Sequence, residues 1–162
     1  MALNERVGFS KSDNGYLYAE VGILMPLVML VLLPFLSKRI SPTTIIYISL
    51  VILIAELILV ATIWAIWPLF AFILPLASLA SMMSPVVVAI MTESGTAADQ
   101  GRRLTGFSAV CDLCDAIGPL VFGSIYGNVS YELAVLPFII AAVMCLPAIY
   151  AATFIPRFME AE

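Results

Sequence analysis

The stretch TTIIYISLVILIAELILVATI, residues 43–63, contains one carboxylate, Glu56, and no basic residue. A helix of about 20 such residues is about 30 Å long, which matches the hydrocarbon core of a bilayer. The stretch therefore predicts a membrane-spanning helix. It also sets the pattern to look for in the rest of the chain.

The composition of the whole chain indicates that lipid is its solvent. Of its 162 residues, 63% are hydrophobic and 11% are charged, and the mean hydropathy is +1.12. Soluble domains carry about 25% charged residues, so a water-soluble fold is excluded. The net charge is -4 and the chain has no His, so we do not expect it to bind nucleic acid.

Four further apolar stretches, separated by short polar or Pro- and Gly-containing breaks, bring the expected number of spans to five. We predict an all-α, polytopic integral membrane protein with helices near residues 16–36, 43–63, 68–91, 104–126 and 131–154. A polar N-terminal segment, residues 1–15, precedes them, and a polar tail, residues 155–162, follows. The polar stretch 92–103 is expected to be the longest loop between spans.

The distribution of basic residues predicts the orientation of these spans. With five crossings, one side of the membrane holds Lys38, Arg39, Arg102, Arg103 and Arg157, and the other holds Arg6 and Lys11. Lys and Arg accumulate on the cytoplasmic side or its equivalent. We therefore expect the N-terminus outside and the C-terminus on the cytoplasmic-equivalent side.

Glu56 is an ionisable residue near the middle of the second span, where no basic residue of the sequence lies at the same depth. Ionisable groups at membrane depth are costly, and they mark a transport pathway or a buried pairing. Two interpretations stay open: a proton-coupling carboxylate, or a neutral Glu that is hydrogen-bonded to a neighbouring helix or partner chain.

Asp112 and Asp115 lie three residues apart in the fourth span, on one helical face. They could share a proton or bind a cation. Cys111 and Cys114 lie beside them, but the apolar sequence continues through the cysteines, and buried Cys usually packs as a small hydrophobe. We therefore favour an acidic pair that faces a protein or aqueous interior, and we expect no metal.

Small residues in two spans predict close helix packing, because helices in lipid associate through small faces and hydroxyl groups. They are Gly118, Pro119 and Gly123 in the fourth span and Ser78, Ser81 and Ser84 in the third. The chain offers no nucleophile with a base, no phosphate-binding loop and no metal signature. We expect neither enzymatic activity nor a cofactor.

The loops between spans resemble those of one transporter family. The segments that carry the likeness are GFSKSDNGY at residues 8–16, LSKRISP at 36–42, QGRRLTG at 100–106 and GPLVFG at 118–123. In order and sidedness they are similar to the eighth to twelfth helices of a major facilitator superfamily transporter. Ser41 departs from the pattern, since the family's basic loop usually has Gly there.

The resemblance implies what the chain does and what it lacks. Family members move small solutes through a central cavity between two six-helix halves. The third span would be cavity-lining, which makes Ser78, Ser81 and Ser84 candidates for substrate contact. One half and the seventh helix are missing from this sequence, so translocation would need a partner chain, a homodimer or a longer parent of which this chain is a piece. The alternative is a non-transporting accessory subunit packed in a larger membrane complex.

Overall fold

The computed structural model describes residues 11–62, 66–93, 97–128 and 135–154. Within these ranges the chain forms five helices, α1 to α5, and no strand. Three of the helices are simple: α2 spans Pro42–Thr62, α4 spans Ala97–Asn128 and α5 spans Leu136–Ala152.

Helices α1 and α3 change their winding along their length. Helix α1 runs from Lys11–Leu27 through a π-helical turn, Val28–Leu32, into Leu33–Ser37. Helix α3 consists of Ile66–Pro68, a π-helical turn Leu69–Ile73, the segment Leu74–Ala80 and, after a turn at Ser81 and Met82, the segment Met83–Glu93.

Proline explains each of these interruptions. A proline ring clashes with the carbonyl four residues earlier and cannot donate to it. For Pro34 and Pro75 that carbonyl belongs to Leu30 and Ala71, and both lie inside the π-helical turns. For Pro85 it belongs to Ser81, where α3 is broken. The wider turn removes the clash and lets the helix continue.

Four of the helices are long and apolar enough to cross a membrane. The spans are Gly15–Ser37, Pro42–Thr62, Leu69–Glu93 and Asp99–Ile125. Helix α5 is apolar but has only 17 residues, which corresponds to about 26 Å. The prediction of an all-helical, multi-spanning membrane protein is confirmed.

Some predicted segments lie outside the described residues. They are the tail 155–162 and most of the polar N-terminal segment 1–15, of which only residues 11–15 are described and belong to α1. The same holds for residues 131–134, the start of the predicted fifth span.

The predicted loop 92–103 is mostly helical, and this prediction was wrong. Helix α3 continues to Glu93 and α4 begins at Ala97, so Arg102 and Arg103 lie in the first two turns of α4 instead of a loop. Ala, Gln and Arg are good helix formers, and Asp99 in the first turn interacts favourably with the helix dipole. Polarity had indicated water exposure, which does not exclude a helix that extends beyond the membrane.

Helix α2 is the centre of the packing. Near one end it contributes Ile45, Ile46 and Leu50 to a buried cluster with members from three other helices, namely Val28 of α1, Met82 and Val86 of α3 and Ala152 of α5. Near its other end, Val60 of α2 and Leu17 of α1 pack against Leu69 and Ile73 of α3. Successive helices α1, α2 and α3 are therefore antiparallel.

Helix α4 is peripheral. No residue of its span Asp99–Ile125 is buried, and its main contacts are with the last segment of α3 and with α5. The described chain is thus a packed group of four helices with a fifth helix, α4, at its edge.

Shortening Met82 tests this packing. The side chain is 1% exposed at the break of α3, so Met82→Ala leaves a cavity and should lower the free energy of unfolding by about 2 kcal/mol. The measurement is denaturant unfolding in detergent micelles followed by circular dichroism. Leu30→Ala is the control, because Leu30 is 76% exposed and should change stability little. Equal effects of the two substitutions would contradict the packing described.

Candidate functional site

The inner face of α2 carries two polar residues. Ser49 and Glu56 are seven residues apart, which places them on the same side of the helix about 10 Å apart. Ser49 is 1% exposed, and its hydroxyl has no hydrogen-bond partner. Glu56 is half-buried. The central helix therefore carries a buried, unsatisfied hydroxyl and a half-buried carboxylate on the same side.

The three serines of α3 do not form one polar surface. Ser78 is buried and donates its hydroxyl proton to the carbonyl oxygen of Leu74 at 2.9 Å. The hydroxyl of Ser81 donates to the carbonyl oxygen of Ser78 at 2.6 Å. Ser84 is exposed beyond the helix break. Because Ser78 is buried, it does not face an open cavity. The hydroxyl protons of Ser78 and Ser81 are donated to backbone carbonyl oxygens near Pro75 and near the break in α3.

Asp112 and Asp115 both lie in α4, and both are exposed. Asp112 is about 14 Å along the helix from Arg103, and Asp115 is about 20 Å from the helix end at Asn128. These distances place both carboxylates near mid-membrane depth. They are on the peripheral helix, so the structure does not bring them together with Glu56 of α2.

Exposure varies around α4. One side is partly buried and faces the rest of the chain; it includes Leu104, Phe107, Cys111, Gly118, Phe122 and Ile125. The opposite side is exposed and largely apolar, with Leu113, Ile117 and Leu120 among its residues. Asp112 and Asp115 are also exposed, and they lie about a quarter turn from the partly buried side.

The expected packing role of Gly118, Pro119 and Gly123 is not seen within this chain. A Cβ atom placed on Gly118 or Gly123 would meet no atom within 4 Å, and Pro119 is exposed. Gly118 lies on the partly buried side of α4 and Gly123 on an exposed side, but no other described helix approaches either residue that closely.

The basic residues lie at helix ends. Lys38 and Arg39 are exposed after α1, and the Arg39 guanidinium lies 4.6 Å from the centre of the Phe35 ring. Arg102 and Arg103 are exposed in the first turns of α4, where they line an open groove of about 330 Å³ with Asp99 and Gly106. Helix ends of this kind lie at the membrane surface. None of these basic residues is at the mid-membrane depth of Asp112 and Asp115.

The cysteines form no disulfide, and Cys111, Cys114 and Cys145 are free. Among the described residues, no group of three or more His, Cys, Asp or Glu side chains is arranged to hold a metal ion. The four residues around Asp112 differ in exposure, because Cys111 is partly buried while Asp112, Cys114 and Asp115 are exposed.

One feature was missed from the sequence. Ser49 escaped notice because one Ser in an apolar span is unremarkable, although its spacing of seven from Glu56 shows that the two share a face.

Comparisons with protein-family models, with curated proteins and with solved structures find no match to this chain. The residues and their arrangement are therefore the basis for assigning a function.

Replacing Gly123 by Leu tests the position of α4. Because no atom lies within 4 Å of the added Cβ, the substitution should leave the stability of the isolated chain unchanged, within about 0.5 kcal/mol. Denaturant unfolding of the purified chain in micelles provides the measurement. A loss as large as that of Met82→Ala would show that α4 is packed within the chain after all.

Proposed function

We propose that this chain is a transporter-derived integral membrane subunit that contributes to the movement of a small solute only together with a partner half. The resemblance to the C-terminal part of a major facilitator superfamily transporter suggests the class. The observation that carries the proposal is the exposure of Asp112 and Asp115 near mid-membrane depth on the peripheral helix α4.

The energetic argument for a partner is direct. A carboxylate at the centre of a bilayer is unfavourable by about 3 kcal/mol on insertion scales. Two of them on one lipid-facing stripe would be retained only if another surface covers them in the working protein. A partner half meets this requirement, and the resemblance implies that it would also complete a translocation pathway.

Glu56 has the position expected of a coupling residue in such a pair. It is half-buried on the inner face of α2, the helix that contacts α1, α3 and α5. A carboxylate there can bind and release a proton when solvent access changes. It can do so without leaving the protein interior.

A second candidate function is that of an accessory subunit without transport activity. The observation that favours it is the packing between α2 and α3, where Ser78 is buried and Met82 is 1% exposed. A subunit of this kind needs no aqueous path, and the buried serines then serve only to satisfy the backbone.

For the orientation, we propose that the N-terminus is outside and the C-terminus is on the cytoplasmic-equivalent side. The buried cluster joins the start of α2 and the last turn of α5, through Ile45 and Ala152. The same end of the molecule therefore carries Lys38 and Arg39. Helix α4 begins a few residues after α3 ends, which adds Arg102 and Arg103 to that side. Positive residues gather on the cytoplasmic face.

Cysteine labelling tests this orientation. Each variant carries one introduced cysteine, and the native cysteines are removed. In intact cells, Ser41→Cys and Thr92→Cys should react only with a membrane-permeant maleimide. Ser12→Cys should also react with an impermeant maleimide. All three side chains are exposed, so access depends on sidedness alone. Labelling of Ser41 and Thr92 from opposite sides would contradict the antiparallel arrangement.

Proton coupling is tested on the complex that contains this chain. The complex is isolated from its native membrane in mild detergent and reconstituted into vesicles. A pH-sensitive dye inside the vesicles reports proton movement. Glu56→Gln should reduce proton movement driven by an imposed pH gradient by about tenfold or more, because an amide cannot carry the proton. Glu93→Gln is the control, since Glu93 is exposed at the end of α3.

Three results would count against the proposal. Unchanged proton movement in Glu56→Gln would remove Glu56 from the mechanism. The absence of movement in every sample would favour the accessory subunit. Migration of the chain as a 17.5 kDa monomer from native membranes would overturn the need for a partner.

A further inference from the structure

We propose that Ser49 is a proton-relay residue, and that water held between α2 and α3 by Ser49 and Ser78 passes the proton between Glu56 and the cytoplasmic-equivalent end of the molecule. The inference rests on the proposed coupling role of Glu56. It adds the path by which the proton of that carboxyl group reaches one side of the membrane.

The hydroxyl of Ser49 differs from the other hydroxyls of the packed helices. Those of Thr62, Ser78 and Ser81 each donate to a backbone carbonyl oxygen three or four residues earlier. The hydroxyl of Ser49 finds no partner among the described residues, although the side chain is 1% exposed. A buried hydroxyl without a partner is unfavourable. Water is small and polar enough to satisfy it.

The contacts between α2 and α3 fix which residues lie at the same level. Toward one end, Val60 of α2 packs against Leu69 and Ile73 of α3. Toward the other end, Leu50 of α2 and Met82 of α3 belong to the same buried cluster. Because the two helices are antiparallel, each step toward the start of α2 corresponds to a step toward the end of α3.

In this register three polar side chains follow one another along the interface. Glu56 is level with Pro75, and Ser78 lies about 5 Å further toward the start of α2. Ser49 lies about 6 Å beyond Ser78. Ser78 is 3% exposed in the segment Leu74–Ala80, which contacts both α1 and α2. Both gaps are longer than a hydrogen bond, and bridging water spans gaps of this size.

The two serines have different tasks in this path. The Ser78 proton is donated to the Leu74 carbonyl oxygen at 2.9 Å, so its oxygen can hold a water as an acceptor. The Ser49 proton is not committed to the backbone, so this hydroxyl can both accept and donate. Glu56 releases its proton to the first water, and each water accepts one proton and releases one of its own. The Ser49 oxygen accepts a proton from the last water as its own hydroxyl proton leaves on the inner side.

Buried apolar side chains close the path on the inner side of Ser49. Ile45 and Met82 belong to the buried cluster there, and each is 1% exposed. Helix α3 is broken at Ser81 and Met82, and a bend at this break would move Met82. Release of the proton is therefore tied to a movement of α3, which is what distinguishes coupling from a leak.

The first test uses the same complex, vesicles and dye as the test of Glu56→Gln. Ser49→Ala should reduce proton movement by about tenfold or more, because a methyl group neither accepts nor donates a proton. Ser49→Gly should retain more proton movement than Ser49→Ala, since it leaves room for a water where the side chain was. A purely structural role predicts the opposite order, because Ala is the better helix former.

Ser124→Ala is the matched control for loss of a hydroxyl. Ser124 is exposed on the peripheral helix α4, where its hydroxyl donates to the Val121 carbonyl oxygen. Its replacement should leave proton movement unchanged.

The second test detects the water without any transport. In the purified full chain in micelles, NMR measures magnetisation transfer from water to the backbone amides of Ser49 and Leu50. The transfer should occur in the unmodified chain and be lost in Ser49→Ala. Circular dichroism of the variant confirms that its helical content is unchanged.

The outcomes separate this inference from the proposed function. The relay alone is overturned if water transfer is absent from the unmodified chain, or if Ser49→Ala moves protons normally while Glu56→Gln does not. Lower proton movement in Ser49→Gly than in Ser49→Ala would assign Ser49 to packing only. Normal proton movement in Glu56→Gln would overturn the proposed coupling role, and the relay with it, even where water is detected at Ser49.

Discussion

The structure depends on one constraint: the hydrocarbon core of a bilayer accommodates apolar side chains but disfavours polar groups that lack a partner. In lipid there is no hydrophobic driving force between helices, so helices pack where their shapes are complementary or where hydrogen bonds form. In this chain those contacts concentrate on α2, whose Ile45, Ile46 and Leu50 meet members of three other helices. Helix α4 contributes no described residue to this cluster and contacts mainly the last segment of α3 and α5.

The same constraint explains how the chain tolerates proline within its spans. Every backbone carbonyl that a proline leaves without a donor must find another partner or an altered turn. The π-helical turns before Pro34 and Pro75 widen the backbone where the clash would occur, and nearby serines donate to carbonyls of the following turn. Ser37 donates to the Pro34 oxygen and Ser78 to the Leu74 oxygen. These serines therefore have a structural use that needs no substrate.

Apolar length and helix breakers were enough to predict the fold class, because the bilayer allows a spanning segment few alternatives to a helix. The start of α4 was mispredicted because polar composition indicates contact with water but does not distinguish a loop from a helix that extends beyond the membrane. The roles of Gly118 and Gly123 could not be predicted either. A small residue shows that a helix can be approached closely, but not which helix approaches it, and that information lies in tertiary packing.

The ionisable residues of the spans fall into two groups with opposite surroundings. Glu56 is on the central helix and is half-buried, so part of its surroundings is protein. Asp112 and Asp115 are on the peripheral helix and are exposed, so the described residues of the chain do not cover them. A carboxylate in hydrocarbon is unfavourable unless it is neutral or paired, and only for Glu56 does the packing of the chain itself reduce contact with lipid. The proposed coupling residue on α2 and the proposed partner contact on α4 therefore depend on different parts of the fold.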